Sequence, residues 1–226
     1  MKKILLLAKY DFAEKYKSGV LKHLAMFYIS IILSIFFFSD IIVDTNSLQI
    51  KLVGIMFCVL SFIIVLTSTM INLHRTEFES GYFENLLSIS SGYTISVAKF
   101  TFLSALSLII MSFCLPIMLF LYNVDFRYAY IIFISSISLL ILSNAFIVLV
   151  ESICNYFRGN WYILSSIINL FIIPPMIITS IILHKIQTDI TFTTKMFSVL
   201  LLIDFILIPV AVYFAGYLND NSYNLS

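Results

Sequence analysis

The sequence predicts an all-α integral membrane protein with six transmembrane helices, and three observations carry that expectation. Six apolar runs each suffice to cross a bilayer: residues 24–43, 52–73, 100–124, 128–150, 159–183 and 196–218. A hydrocarbon core about 30 Å thick needs about 20 helical residues at a rise of about 1.5 Å each. The composition, 61% hydrophobic and 11% charged, does not suit a soluble domain of this size. A mean hydropathy of +1.06 agrees with it.

The basic residues set the orientation. With the N-terminus in the cytoplasm, the inner segments hold Lys2, Lys3, Lys9, Lys15, Lys17, Lys22, Arg75, Lys99 and Arg158. The outer segments hold only Lys51, Arg127, Lys185 and Lys195, so the bias predicts that both termini are cytoplasmic. The apolar stretch after Lys2 and Lys3 is too short for a cleaved signal peptide, because Lys9 and Asp11 follow at once. A net charge of +1 does not point to nucleic acid as a partner. The outer loops are too short to fold as domains, so residues 1–226 read as one membrane domain.

The first segment, residues 1–22, carries a partial apolar stripe of Ile4, Leu5, Ala8, Phe12 and Tyr16 beside Lys9, Lys15 and Lys17. It reads either as a basic amphipathic helix on the inner membrane surface or as a positively charged tail. Cys58, Cys114 and Cys154 stand singly in apolar surroundings and read as small buried hydrophobes. His23, His74 and His184 fall at membrane borders without ligand spacing, so no metal or cofactor site is expected.

The chain shows no means of capturing chemical energy. None of its six glycines begins a phosphate-binding loop, and no nucleophile, base and orienting acid occur together. It reads as a non-catalytic subunit whose energy must come from another polypeptide.

Residues 75–89, between the second and third runs, are too polar to cross. On one helix, Phe78, Tyr82, Leu86 and Ile89 form an apolar stripe, with Glu77 and Glu84 on the opposite face. This segment lies in the cytoplasmic interface, either as a plain connector or as a coupling helix that docks into an ATPase.

At this point the residues resemble a known family. Gly81-Tyr82-Phe83-Glu84-Asn85-Leu86-Leu87, following Arg75 and ending at Lys99, is similar to the D-G-x-L-E-x-L-L…K stretch of the CcmB family, haem exporter protein B. Arg158-Gly159, Ile163-Leu164, the stretch Ile172-Ile173-Pro174-Pro175-Met176-Ile177 and Pro209 also resemble family features. Ser80, Phe83 and Ser90-Ser91-Gly92 depart from it.

The resemblance implies an ABC-2-permease-like bundle in the bacterial inner membrane, acting in cytochrome c biogenesis. It implies a cytoplasmic ABC ATPase that binds ATP, a haem-handling membrane protein, a small single-span subunit and a periplasmic haem chaperone as partners. Haem would be handled by the complex rather than held by this chain. Arg75, Glu77, Phe78, Gly81, Phe83, Glu84 and Leu87 would then contact the ATPase. The alternatives are the permease of another small ABC-2-type exporter and a non-transporting membrane scaffold.

Within the spans, Asp204 is the most costly residue, at about 3 kcal/mol against about −0.3 to −0.6 for each Leu, Ile, Phe or Val. Fourteen such residues in 196–218 contribute roughly 5 kcal/mol, so the helix still inserts. Asp204 is expected either to form a packed hydrogen bond, to Asn144 or Asn169, or to have a functional role. Pro116, Pro174, Pro175 and Pro209 are expected to kink their helices.

Overall fold

The computed structural model describes residues 57–66, 81–121, 126–157 and 190–222, together with 4, 6–8, 26, 29, 33, 54, 55, 77, 177–179, 181 and 182. Among the described residues there is no strand. Five helical segments hold most of them. They are α1 (Phe57–Leu66), α2 (Tyr82–Ile89), α3 (Gly92–Leu121), α4 (Phe126–Phe157) and α5 (Ile190–Ser222).

Three of these helices, α3, α4 and α5, are long and apolar enough to cross a membrane. They contain the predicted runs 100–124 (to Leu121), 128–150 and 196–218, and extend beyond the runs at the polar ends. Most of runs 24–43 and 159–183, and all but the α1 portion and residues 54 and 55 of 52–73, lie outside the described residues. So do Arg75, Phe78, Asn169, Pro174, Pro175 and the three histidines. Of the N-terminal stripe, Ile4 and Ala8 are described and helical, with Ala8 buried in the core, and Leu5, Phe12 and Tyr16 lie outside the described residues.

The helix directions follow from which residues meet. Ser96 meets Asn219, and the backbone N–H of Gly92 donates to Asp220 Oδ1 at 2.5 Å, so the start of α3 lies beside the end of α5. Ser107 meets Asn144, so α3 and α4 are antiparallel with one central crossing. Ser138 donates to Asp204, while Ala145 packs with Ala211 and Val212, so α4 and α5 run parallel. Phe157 and Ile190 therefore lie at opposite ends of the bundle.

The central element is α4: 72% of its most apolar 18 residues are buried, against 50% in α3 and 22% in α5. Phe62, Leu66, Leu103, Met111, Leu115, Met118 and Ile132 form the centre of the core. Cys58, Cys114 and Cys154 are buried, as their apolar settings predict. On α3 the buried positions Ile95, Phe102, Leu103, Leu106, Ile110 and Met118 follow the helical repeat. The outward side of α5, with Leu202, Phe205, Tyr213 and Phe214 exposed, matches a helix facing hydrocarbon.

Pro116 and Pro209 lie inside continuous helices. Two glycines permit the close approach of α3 and α5. A Cβ on Gly92 would stand 2.6 Å from the Asp220 nitrogen, and one on Gly216 would stand 2.7 Å from Tyr93 Cα. Small residues at such crossings let backbones pack tightly in lipid.

The expected single helix over 75–89 is corrected. Glu77 is helical, but Gly81 adopts φ 72°, ψ 5°, a left-handed conformation suited to glycine, and α2 starts only after it. Glu77 and Glu84 therefore do not share one helix face.

The arrangement predicts a labelling pattern. A membrane-impermeant thiol reagent should reach single cysteines at Ser88 and Ser222 from one side of the membrane, and one at Thr194 from the other. Labelling of Ser88 and Thr194 variants from the same side would contradict the helix directions.

Candidate coupling site

The candidate site is built at the end of the bundle where α3 begins and α4 and α5 finish. Two serines form its joint. Ser90 closes α2, its N–H donating to Leu86 O at 2.9 Å. Ser91 opens α3: its hydroxyl accepts from the Thr94 N–H at 3.4 Å and pairs with Thr94 Oγ1 at 2.9 Å. A serine at this position satisfies one of the donors that a helix start leaves open. The joint between the two helices is thus two residues long.

Beneath α2 lies a buried ionic group. The Lys99 ammonium donates to Glu77 Oε2 at 3.2 Å and to Glu151 Oε1. All three residues are less than a tenth exposed. Phe83, the one fully buried residue of α2, places its ring centroid 5.4 Å from the same ammonium. A cation over an aromatic face contributes about 0.5–2 kcal/mol, more when desolvated. Lys99 thereby links Glu77, four residues before Gly81, with helix α2, its own helix α3 and the end of α4.

This geometry rearranges the expected site. Glu77 faces inward to Lys99, not outward to a partner, because a lysine in an apolar setting must be neutralised. Phe83 is buried against that lysine, and Leu87 is half-buried. Gly81 supplies the turn. The expected apolar stripe is also corrected: Ile89 is 71% exposed, while Tyr82 and Leu86 are half-buried. The outward face that remains is Glu84, Asn85, Ser88 and Ile89. Glu84 sits in the first turn of α2, where its charge also complements the helix dipole.

Sequence reasoning missed Glu151 altogether and took Lys99 only as a border charge. The signal was present: Lys99 falls on the same helical stripe as Ile95, Phe102, Leu103 and Leu106, all of them core residues. An ionisable group on a core stripe predicts a buried partner.

Asp204 and Asn144 are not brought together. Asp204 accepts from Ser138 across the α4–α5 contact, whereas Asn144 pairs with Ser107 of α3 at 3.0 Å. The pairing of Asp204 with Asn144 is therefore corrected. Asp204 also sits deeper than the apolar run implied, about 21 Å from Ile190 at about 1.5 Å per residue, because α5 begins earlier.

The buried ionic group yields a stability prediction. Lys99→Met removes the shared cation from two buried carboxylates and is expected to destabilise the folded protein by about 3–5 kcal/mol. Thermal unfolding in detergent checks it: an unchanged midpoint would show that the carboxylates do not depend on Lys99.

Two proteins are similar to this chain in sequence. An uncharacterized protein of Rickettsia prowazekii (strain Madrid E) is 26% identical over 227 residues, covering 100% of both chains. An uncharacterized protein of Rickettsia conorii is 26% identical over 209 residues, covering 92% of each. No protein-family model matches the sequence, and no solved structure matches it.

Proposed function

We propose that this chain is the membrane subunit of an ABC transporter complex of CcmB type, in which a cytoplasmic ATPase docks on α2. In this reading the complex serves cytochrome c biogenesis in the bacterial inner membrane, handling or releasing a haem chaperone. The observation that carries it is the construction of α2. An eight-residue helix presents Glu84, Asn85, Ser88 and Ile89 outward while its other side is fixed to the spans through Phe83 and Lys99. A free connector needs no such anchorage, whereas a coupling element must transmit force.

The joint supports the same reading. With only Ser90 and Ser91 between the helices, displacement of α2 passes directly to α3. The parallel course of α4 and α5 supports the six-span architecture. The chain must return across the bundle between Phe157 and Ile190, which agrees with a crossing in residues 159–183. Both termini are then cytoplasmic, on the side of α2.

In this reading the chain performs no bond chemistry. The ATPase partner binds and hydrolyses ATP, and this subunit converts docking of that partner into rearrangement of the bundle. The acidic Glu84 on the docking face accepts hydrogen bonds from a basic groove.

Affinity purification of the full chain from its native membranes tests this. An ATPase and cytochrome-maturation proteins are expected to co-purify. Glu84→Lys is expected to leave insertion intact, lower ATPase retention about tenfold or more and reduce cytochrome c yield. An ATPase without maturation proteins would point instead to another small exporter, and no ATPase at all to a scaffold. Unchanged ATPase retention in Glu84→Lys would remove α2 as the docking element.

A further inference from the structure

Midway along α5, on the outer flank of the bundle, lies a cleft that the coupling reading does not use. It holds about 410 Å³ between α4 and α5. Ile134, Ile137 and Ile141 line it from α4, and Leu201 and Ile208 from α5. Phe205 also lines it and is 81% exposed, so the cleft opens sideways, toward the hydrocarbon. Among the described residues, its polar side chains are Ser138 and Asp204.

These two side chains leave an acceptor unused. The Ser138 hydroxyl donates to Asp204 Oδ2. Asp204 is only 8% exposed, and its Oδ1 has no hydrogen-bond partner among the described residues. Covalent structure supplies a second acceptor. Pro209 lines the cleft and has no N–H, so the carbonyl of Phe205, four residues earlier, lacks its usual helical donor. Among the described residues, Asp204 and Phe205 thus bring two acceptors to the cleft, and Ser138 has no donor left over.

Depth narrows what can fill it. Asp204 lies about 21 Å from Ile190 and about 27 Å from Ser222 at about 1.5 Å per residue, which is mid-membrane. Lipid headgroups sit about 15 Å from that level, beyond the half-thickness of the hydrocarbon core. A carboxylate at this depth is normally paired with another group. A second copy of this chain cannot supply the cation, because none of the six apolar runs contains a lysine or arginine. Lys195, nine residues before Asp204, stands about 13 Å nearer the membrane surface.

We propose that this cleft is the docking site for a transmembrane helix of a partner chain that carries an arginine or lysine at mid-membrane depth. The cationic head meets Asp204 Oδ1 and the Phe205 carbonyl, and the isoleucine walls receive its aliphatic stem. Arginine fits best, since its fork offers several donors to two acceptors at once. The site is far from α2 and does not depend on ATPase docking.

A designed helix tests this without a native partner. A Leu/Ala-rich single span of about 20 residues with one central arginine is reconstituted with the full-length protein in lipid nanodiscs, beside its Arg→Leu counterpart. A photoreactive phenylalanine analogue replaces Leu201 in the cleft or, as control, the exposed Phe113 on α3. The crosslink yield from position 201 is expected to be about tenfold higher with the arginine helix, with no preference from position 113. Asp204→Asn should abolish the preference. Equal yields for the two helices in the otherwise unchanged protein overturn the proposal whatever the variant does. A preference that persists in Asp204→Asn, or appears equally at position 113, also overturns it. The ATPase is absent from this assay, so its outcome is separate from that of the coupling reading.

Discussion

A lysine ammonium cannot sit alone in an apolar interior, and much of this structure follows from how Lys99 is neutralised. Its neighbours come from different stretches of chain: Glu77 before the Gly81 turn, Phe83 in α2 and Glu151 near the end of α4. To bring them together, α2 must fold back over the start of α3, and α3 and α4 must be antiparallel. Desolvating such a group opposes folding, and its partners offset that only when they are held in good geometry. The capped two-residue joint at Ser90 and Ser91 and the left-handed Gly81 provide that geometry. They fix α2 at both ends.

Elsewhere in the bundle, association rests on short polar contacts between apolar faces. Ser107 with Asn144, Ser96 with Asn219 and Ser138 with Asp204 each join a different pair of helices. In lipid such contacts average about 0.6 kcal/mol each, so none holds the bundle alone. Their main effect is on register. Sliding one helix by a residue would carry a hydroxyl or amide into hydrocarbon, while van der Waals packing would change little.

The membrane character of the chain was legible because bilayer thickness imposes a length on every span, and hydropathy reads that length directly. The helix ends were not. The third span was expected from residue 100, yet α3 starts at Gly92, because neutralised Lys99 can lie inside the helix rather than at its border. Likewise α4 continues past Val150 to Phe157 because Glu151 is paired. Polarity alone treats both residues as boundaries. The acidic face expected on α2 failed for a related reason: Gly81 breaks the helix, and periodicity does not register a single φ angle. The partner of Asp204 was beyond reach, since α4 and α5 meet in a register that only the packed bundle defines.

The contact between Gly92 and Asp220 has a consequence in time. Its two residues are separated by 128 positions. At a synthesis rate of roughly 5–20 residues per second, that interval is about 6–25 s. Throughout it, the first turn of α3 exists without the helix end that accepts its N–H, and Gly216, the small surface for Tyr93, has not been made. The assembled end of the bundle therefore cannot form stepwise as the chain enters the membrane. It closes late, when α5 arrives beside two helices already in place.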